Sequence, residues 1–101
     1  MAFEPTQAVN YCEAHDNNTL WDKLCISAKN DSEGVRIKMD KLAAAIVILS
    51  QGMPFIQLGQ DFLRSKPRIL KEGEEPNDVN IYSHDSYNAP DYTNSIKWNR
   101  K

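Results

Sequence analysis

The chain reads as an α/β protein, a single βαβ unit carrying a long polar loop. Three observations predict this. An imperfectly alternating, strand-like run over residues 8–14 breaks off at His15-Asp16-Asn17. Val35, Met39, Leu42, Ile46 and Leu49 recur at steps of four and three, which is one face of an α-helix. Pro54-Phe55-Ile56-Gln57-Leu58-Gly59 is a short apolar run bounded by proline and glycine, the mark of a buried strand. Two strands joined through a long helical crossover run parallel. At 101 residues there is room for one domain at most.

Taken in order, residues 1–7 are an entry segment and 8–14 the first strand. Thr19 is a good N-cap, and Asp22 three residues on suggests a capping box, so a first helix should run from Leu20 to about Ala28. Asn30-Asp31-Ser32-Glu33-Gly34 is a turn-rich loop. The second helix should cover about 35–51, with Gly52 as a left-handed C-cap and Pro54 barring its continuation. Ala43, Ala44, Ala45, Val47 and Ile48 widen its apolar stripe, so Leu42, Ile46 and Leu49 are expected at the centre of the core. The second strand follows over 54–59, and the βαβ unit closes near residue 64. Residues 65–101 are polar and aperiodic, with Pro67, Pro76 and Pro90 among scattered aromatics. So long an irregular stretch suits a functional loop on a larger scaffold.

Composition narrows the function. A net charge of -2 gives no basic footprint for nucleic acid. The longest apolar run, Leu42 to Leu49, is too short to span a bilayer, so no membrane partner is expected. Ala2-Phe3-Glu4-Pro5 is not a charged-then-apolar leader, and no signal peptide is expected. Cys12 and Cys25 lack metal-ligand spacing and read as free thiols, which point toward a reducing, cytoplasmic setting. No metal or cofactor is called for.

The chemistry gathers at His15-Asp16-Asn17. A carboxylate at the exit of a strand, with Thr19 already serving as the helix cap, is free to stabilise a developing oxocarbenium ion or to hold hydroxyls. His15 can donate to a sugar hydroxyl. Ser86-Tyr87-Asn88-Ala89-Pro90-Asp91-Tyr92-Thr93-Asn94-Ser95-Ile96-Lys97-Trp98 mixes aromatic faces with side-chain amides and carboxylates, a composition suited to sugar rings and their hydroxyls.

These blocks resemble one family. Val9-Asn10-Tyr11-Cys12-Glu13-Ala14-His15-Asp16-Asn17 followed by Thr19-Leu20-Trp21-Asp22-Lys23-Leu24 is similar to the segment around the third catalytic carboxylate of type I pullulanases, the α-1,6-debranching members of the α-amylase superfamily. Arg36-Ile37-Lys38-Met39, Leu49-Ser50-Gln51-Gly52-Met53-Pro54-Phe55 and the 86–98 block follow in the family's order. Gly59-Gln60-Asp61-Phe62-Leu63-Arg64 departs from it, with Asp61 where the family usually has Glu.

The resemblance implies a fragment of a (β/α)8 barrel: the seventh strand, seventh helix, eighth strand and following long loop. It implies that Asp16 is the transition-state stabiliser. It implies that His15, Asn17, Asn88, Asp91 and Asn94 are substrate-binding positions meeting at the C-terminal face of the strands. The partner would be an α-glucan, such as pullulan, glycogen or a starch dextrin, cleaved at α-1,6 branches by a parent enzyme that is cytoplasmic, secreted or surface-attached. The family's nucleophile, an Asp on the fourth strand, and its general acid, a Glu on the fifth, match nothing among these 101 residues. The alternative is a free-standing carbohydrate-binding or self-associating module, dimeric through uncovered sheet edges.

Overall fold

The computed structural model describes residues 2–100. A 3-10 turn at Pro5–Gln7 leads into strand β1, Val9–Asn10. Helix α1 spans Leu20–Ser27 and helix α2 spans Glu33–Leu49. Strand β2, Met53–Pro54, then pairs parallel with β1 in the register Val9↔Met53, Asn10↔Pro54. The strands are much shorter than these runs suggested. Met53 N–H donates to Ala8 O and Phe55 N–H to Asn10 O, each at 2.8 Å, while Pro54 has no N–H to give. Gly52 adopts φ +125, and a Cβ there would lie 2.7 Å from Asn10 Nδ2. Glycine thus lets β1 approach the turn, where the Asn10 amide donates to Gln51 O at 2.8 Å.

Gly52 does not cap α2. That helix ends two residues earlier at Ser50, whose backbone is extended and whose hydroxyl donates to Ile46 O. At its start, Ser32 Oγ accepts from Val35 N–H, so the helix begins inside the stretch expected to be loop. At α1, Thr19 Oγ accepts from Asp22 N–H as expected. The Asp22 carboxylate does not close the box; it accepts instead from Lys66 N–H, at 2.8 Å.

The expected core is also revised. Leu42 is 62% exposed, Ile46 58% and Leu49 83%, whereas Val47 beside them is 6% exposed. Their helical spacing is real, but these three side chains stand largely in solvent, while Met39 on the same stripe is half-buried. Val47 and Phe62 are the buried apolar side chains. Phe62 lies with its ring centroid 5.8 Å from that of Trp98. Most other buried side chains are polar: Glu13, Thr19, Asp22, Asp40, Gln60, Lys66, Ser83 and Thr93. The interior is held by directed hydrogen bonds more than by apolar area.

The polar stretch after residue 64 is more ordered than its composition suggested. Pro67 and Tyr82 form an antiparallel bridge, Asp91–Asn94 is a helical turn (α3), and Trp98–Arg100 a 3-10 turn. Arg68 organises the intervening loop, pairing with Glu74 at 2.7 Å and donating to Asn80 O at 3.2 Å. Thr93 Oγ1 donates to Pro67 O at 2.7 Å and ties α3 back to the start of the loop.

Candidate functional site

Four segments meet at a cleft of about 370 Å³ lined by His15, Asp16, Gln57, Arg64, Ser86, Tyr87 and Asn94. His15 and Asp16 reach it because the chain turns sharply after residue 14. Asn17 takes φ 60, a left-handed conformation that asparagine tolerates better than most residues. Both side chains stand in solvent, with His15 Nε2 3.5 Å from Asp16 Oδ2. Asp16 is the sole carboxylate on the cleft wall.

The opposite wall is the long loop. Asn94 donates its amide to Ser86 O at 2.8 Å and to Ala89 O at 3.2 Å, closing the loop on itself. Its Oδ1 is left as the hydrogen-bonding atom of that side chain. Tyr87 is exposed, and its ring is available as a stacking face. Of the five binding positions implied by the sequence, His15 and Asn94 share the cleft with Asp16. Asn17, Asn88 and Asp91 are exposed and do not line it. Asn17 makes the turn, and Asp91 opens α3.

Two wall residues escaped the sequence reading. Arg64 donates through Nη2 to Asn94 O at 3.0 Å and through Nη1 to Leu58 O at 3.2 Å. Gly59 makes this possible: its φ is +97, and a Cβ there would meet Arg64 Cβ at 2.8 Å. Gln57 was a signal of its own, the lone polar residue in an apolar run. Gln57 Oε1 and Arg64 Nε are buried with no hydrogen-bond partner among the described residues. Asp61 lies elsewhere. It lines a larger cavity, about 640 Å³, with Ala44, Ala45, Ile48, Ile56 and Phe62. Asp40, Lys41, Gln60 and Arg100 also line it, and none of the other candidate site residues reaches it. Among the described residues no group of His, Cys, Asp and Glu could hold a metal ion, and no helix is long and apolar enough to cross a membrane.

Behind the cleft lies a buried acidic cluster. Glu13 Oε2 accepts from Leu20 N–H at 2.5 Å and so caps α1 from the strand exit. Burial pushes the carboxyls of Glu13, Asp22 and Asp40 above their ordinary values, against the hydrogen bonds that Leu20 and Lys66 give the first two. A carboxyl raised on folding binds its proton more readily in the folded chain. Its stabilisation is complete below the ordinary values of 3.8 to 4.5 and is lost as pH rises through the raised ones. Glu74, held down by its hydrogen bonds from Arg68, acts in the opposite sense, but it is a half-buried pair at the loop surface that solvent partly screens. The thermal midpoint should therefore fall as pH is raised from 4.5 toward neutrality. A midpoint climbing across that window would show that the cluster is solvated.

A strand exit bearing an exposed His–Asp pair, faced by an aromatic and amide loop with an arginine behind it, forms one polar, solvent-open cleft. The comparisons with known proteins agree on one kind of chain. No family model matches. The pullulanase of Bacillus subtilis strain 168 is 38% identical over 98 residues, 97% of this chain and 12% of that protein. The chloroplastic pullulanase 1 of Arabidopsis thaliana is 34% identical over 93 residues, 91% of this chain and 8% of that protein. The crystal structure of a pullulanase from Anoxybacillus sp. LM18-11 complexed with maltotetraose superimposes with a TM-score of 0.79 at 47% identity, covering 99% of this chain and 13% of that one. The chain therefore corresponds, over nearly its whole length, to about a tenth of the pullulanases it matches. These matches support a segment of a pullulanase.

Proposed function

We propose that this chain is the part of a pullulanase-type glycoside hydrolase that supplies the third catalytic carboxylate, on the seventh-strand to eighth-strand portion of a (β/α)8 barrel. Asp16 stabilises positive charge developing at the anomeric carbon, and His15 holds a hydroxyl of the same sugar. Asn94 Oδ1 accepts from a further hydroxyl, and Tyr87 stacks on a ring. The whole enzyme hydrolyses α-1,6 branches of α-glucans by double displacement, with its nucleophile and general acid drawn from outside these residues. The carrying observation is the meeting of His15, Asp16 and Asn94 in one cleft of a chain that matches pullulanases from end to end.

The test is a titration with maltotriose followed by amide chemical shifts. Shifts should cluster at His15, Asp16, Ser86, Tyr87 and Asn94. Affinity should be weaker than about 1 mM, or about -4 kcal/mol, because the few polar contacts of this cleft must offset the cost of association. Shifts scattered away from the cleft would overturn the assignment. Saturable micromolar binding at these residues would favour a free-standing carbohydrate module instead.

A further inference from the structure

We propose that Lys66 is a positioning residue of the cleft, the link that sets the His15-Asp16 turn against the sugar-facing loop; this rests on the carbohydrate reading above. Lys66 is 1% exposed, the most deeply buried lysine among the described residues, and it forms no close ion pair among them. Its ammonium Nζ donates to His15 O at 2.9 Å and to Ser86 Oγ at 3.2 Å. Those two residues stand on opposite walls of the cleft. Its backbone is clamped as well: Lys66 N–H donates to Asp22 Oδ2, and Lys66 O accepts from Ser83 N–H at 2.8 Å.

A buried ammonium is costly unless its hydrogen bonds are made. Burial pushes the Lys66 ammonium below its ordinary value, and Arg64 adds to this, while Asp22, Glu13 and Asp16 oppose it. A fold that needed only a spacer here would do better with an apolar side chain. What the ammonium adds is direction. One group grips the backbone of the carboxylate-bearing turn and the first residue of the loop, and so fixes the distance between the walls. Arg64, two residues earlier, grips Asn94 O at the far end of the same loop. The segment 64–66 thus holds both ends of the 86–94 loop. Gly59 and the left-handed Leu63, at φ 61, shape that segment.

The experiment compares wild type, Lys66→Met, Lys66→Arg and Ser86→Ala in the full 101-residue chain. Amide hydrogen exchange is read without sugar, and maltotriose affinity by amide shifts. Lys66→Met keeps the buried stem and loses the donors. Exchange over 86–94 should accelerate at least about tenfold while α2 amides keep their protection. Maltotriose affinity should fall about tenfold, equivalent to about 1.4 kcal/mol. Lys66→Arg, which restores donors, should recover part of both. Ser86→Ala, which removes one acceptor without touching the buried lysine, should loosen the loop in the same direction and keeps the test open if Lys66→Met fails to fold. Exchange rising equally in α2 and the loop would show a merely structural lysine and overturn the proposal, as would loop exchange and affinity unchanged in Lys66→Met and Ser86→Ala. If wild type shows no sugar-dependent shift at the cleft, the carbohydrate reading fails, and loop exchange alone decides whether Lys66 positions the walls.

Discussion

No reducing sugar should be released from pullulan or starch by this 101-residue chain. A retaining glycosidase places a nucleophile and an acid/base carboxyl about 5–5.5 Å apart across the scissile bond. The cleft wall offers Asp16 alone. Glu13 and Asp22 are the nearest other carboxyls in sequence, but both are buried and committed, Glu13 to Leu20 N–H and Asp22 to Lys66 N–H. Neither can reach an anomeric carbon or protonate a leaving oxygen. A lone carboxylate can stabilise charge but cannot complete a double displacement. A reducing-end assay at high protein concentration checks this. Release well above a blank, abolished by Asp16→Asn, would show that the chain contains a complete catalytic pair.

Asp22→Ala should cost about 1–3 kcal/mol, the range for leaving a buried donor without its acceptor. Asp22 is 0% exposed. Its loss strips Lys66 N–H of its acceptor and removes the foremost of the negative charges that favour the buried ammonium. Domains of this size are stable by as little as about 5 kcal/mol, so the variant should be left only marginally stable. Asp22→Asn keeps an acceptor for Lys66 N–H and should retain more of the fold. Urea midpoints by circular dichroism give the answer. An unchanged midpoint in Asp22→Ala would mean that the polar interior contributes little and that stability resides elsewhere.

The sequence carried the local elements well because their causes are local. Thr19 capping α1, the 3.6-residue repeat of α2 and the parallel crossover each follow from a few neighbouring residues. The start of α2 was hidden because Gly34 and Asn30-Asp31-Ser32 read as turn, although Ser32 is itself a sound cap. Burial was harder to see. Periodicity shows which residues share a face, not what lies against it, and so Leu42, Ile46 and Leu49 were placed in a core that they do not occupy. The site was half legible. His15, Asp16 and Asn94 carry recognisable chemistry in recognisable blocks. Lys66, Arg64 and Glu13 act through partners up to 51 residues away, and no pattern in the chain announces those pairings. Gly52 and Gly59 were visible as residues, but their purpose depends on Asn10 and Arg64 crowding against them.

The most direct test is a transplant. The 98 matching residues of the Bacillus subtilis relative are replaced by this chain, and the chimera is assayed on pullulan. The account predicts a folded, active chimera that loses more than about 10²-fold of its turnover on Asp16→Asn, the scale of removing one transition-state stabiliser. A folded chimera without activity, or one whose activity survives Asp16→Asn, would contradict it.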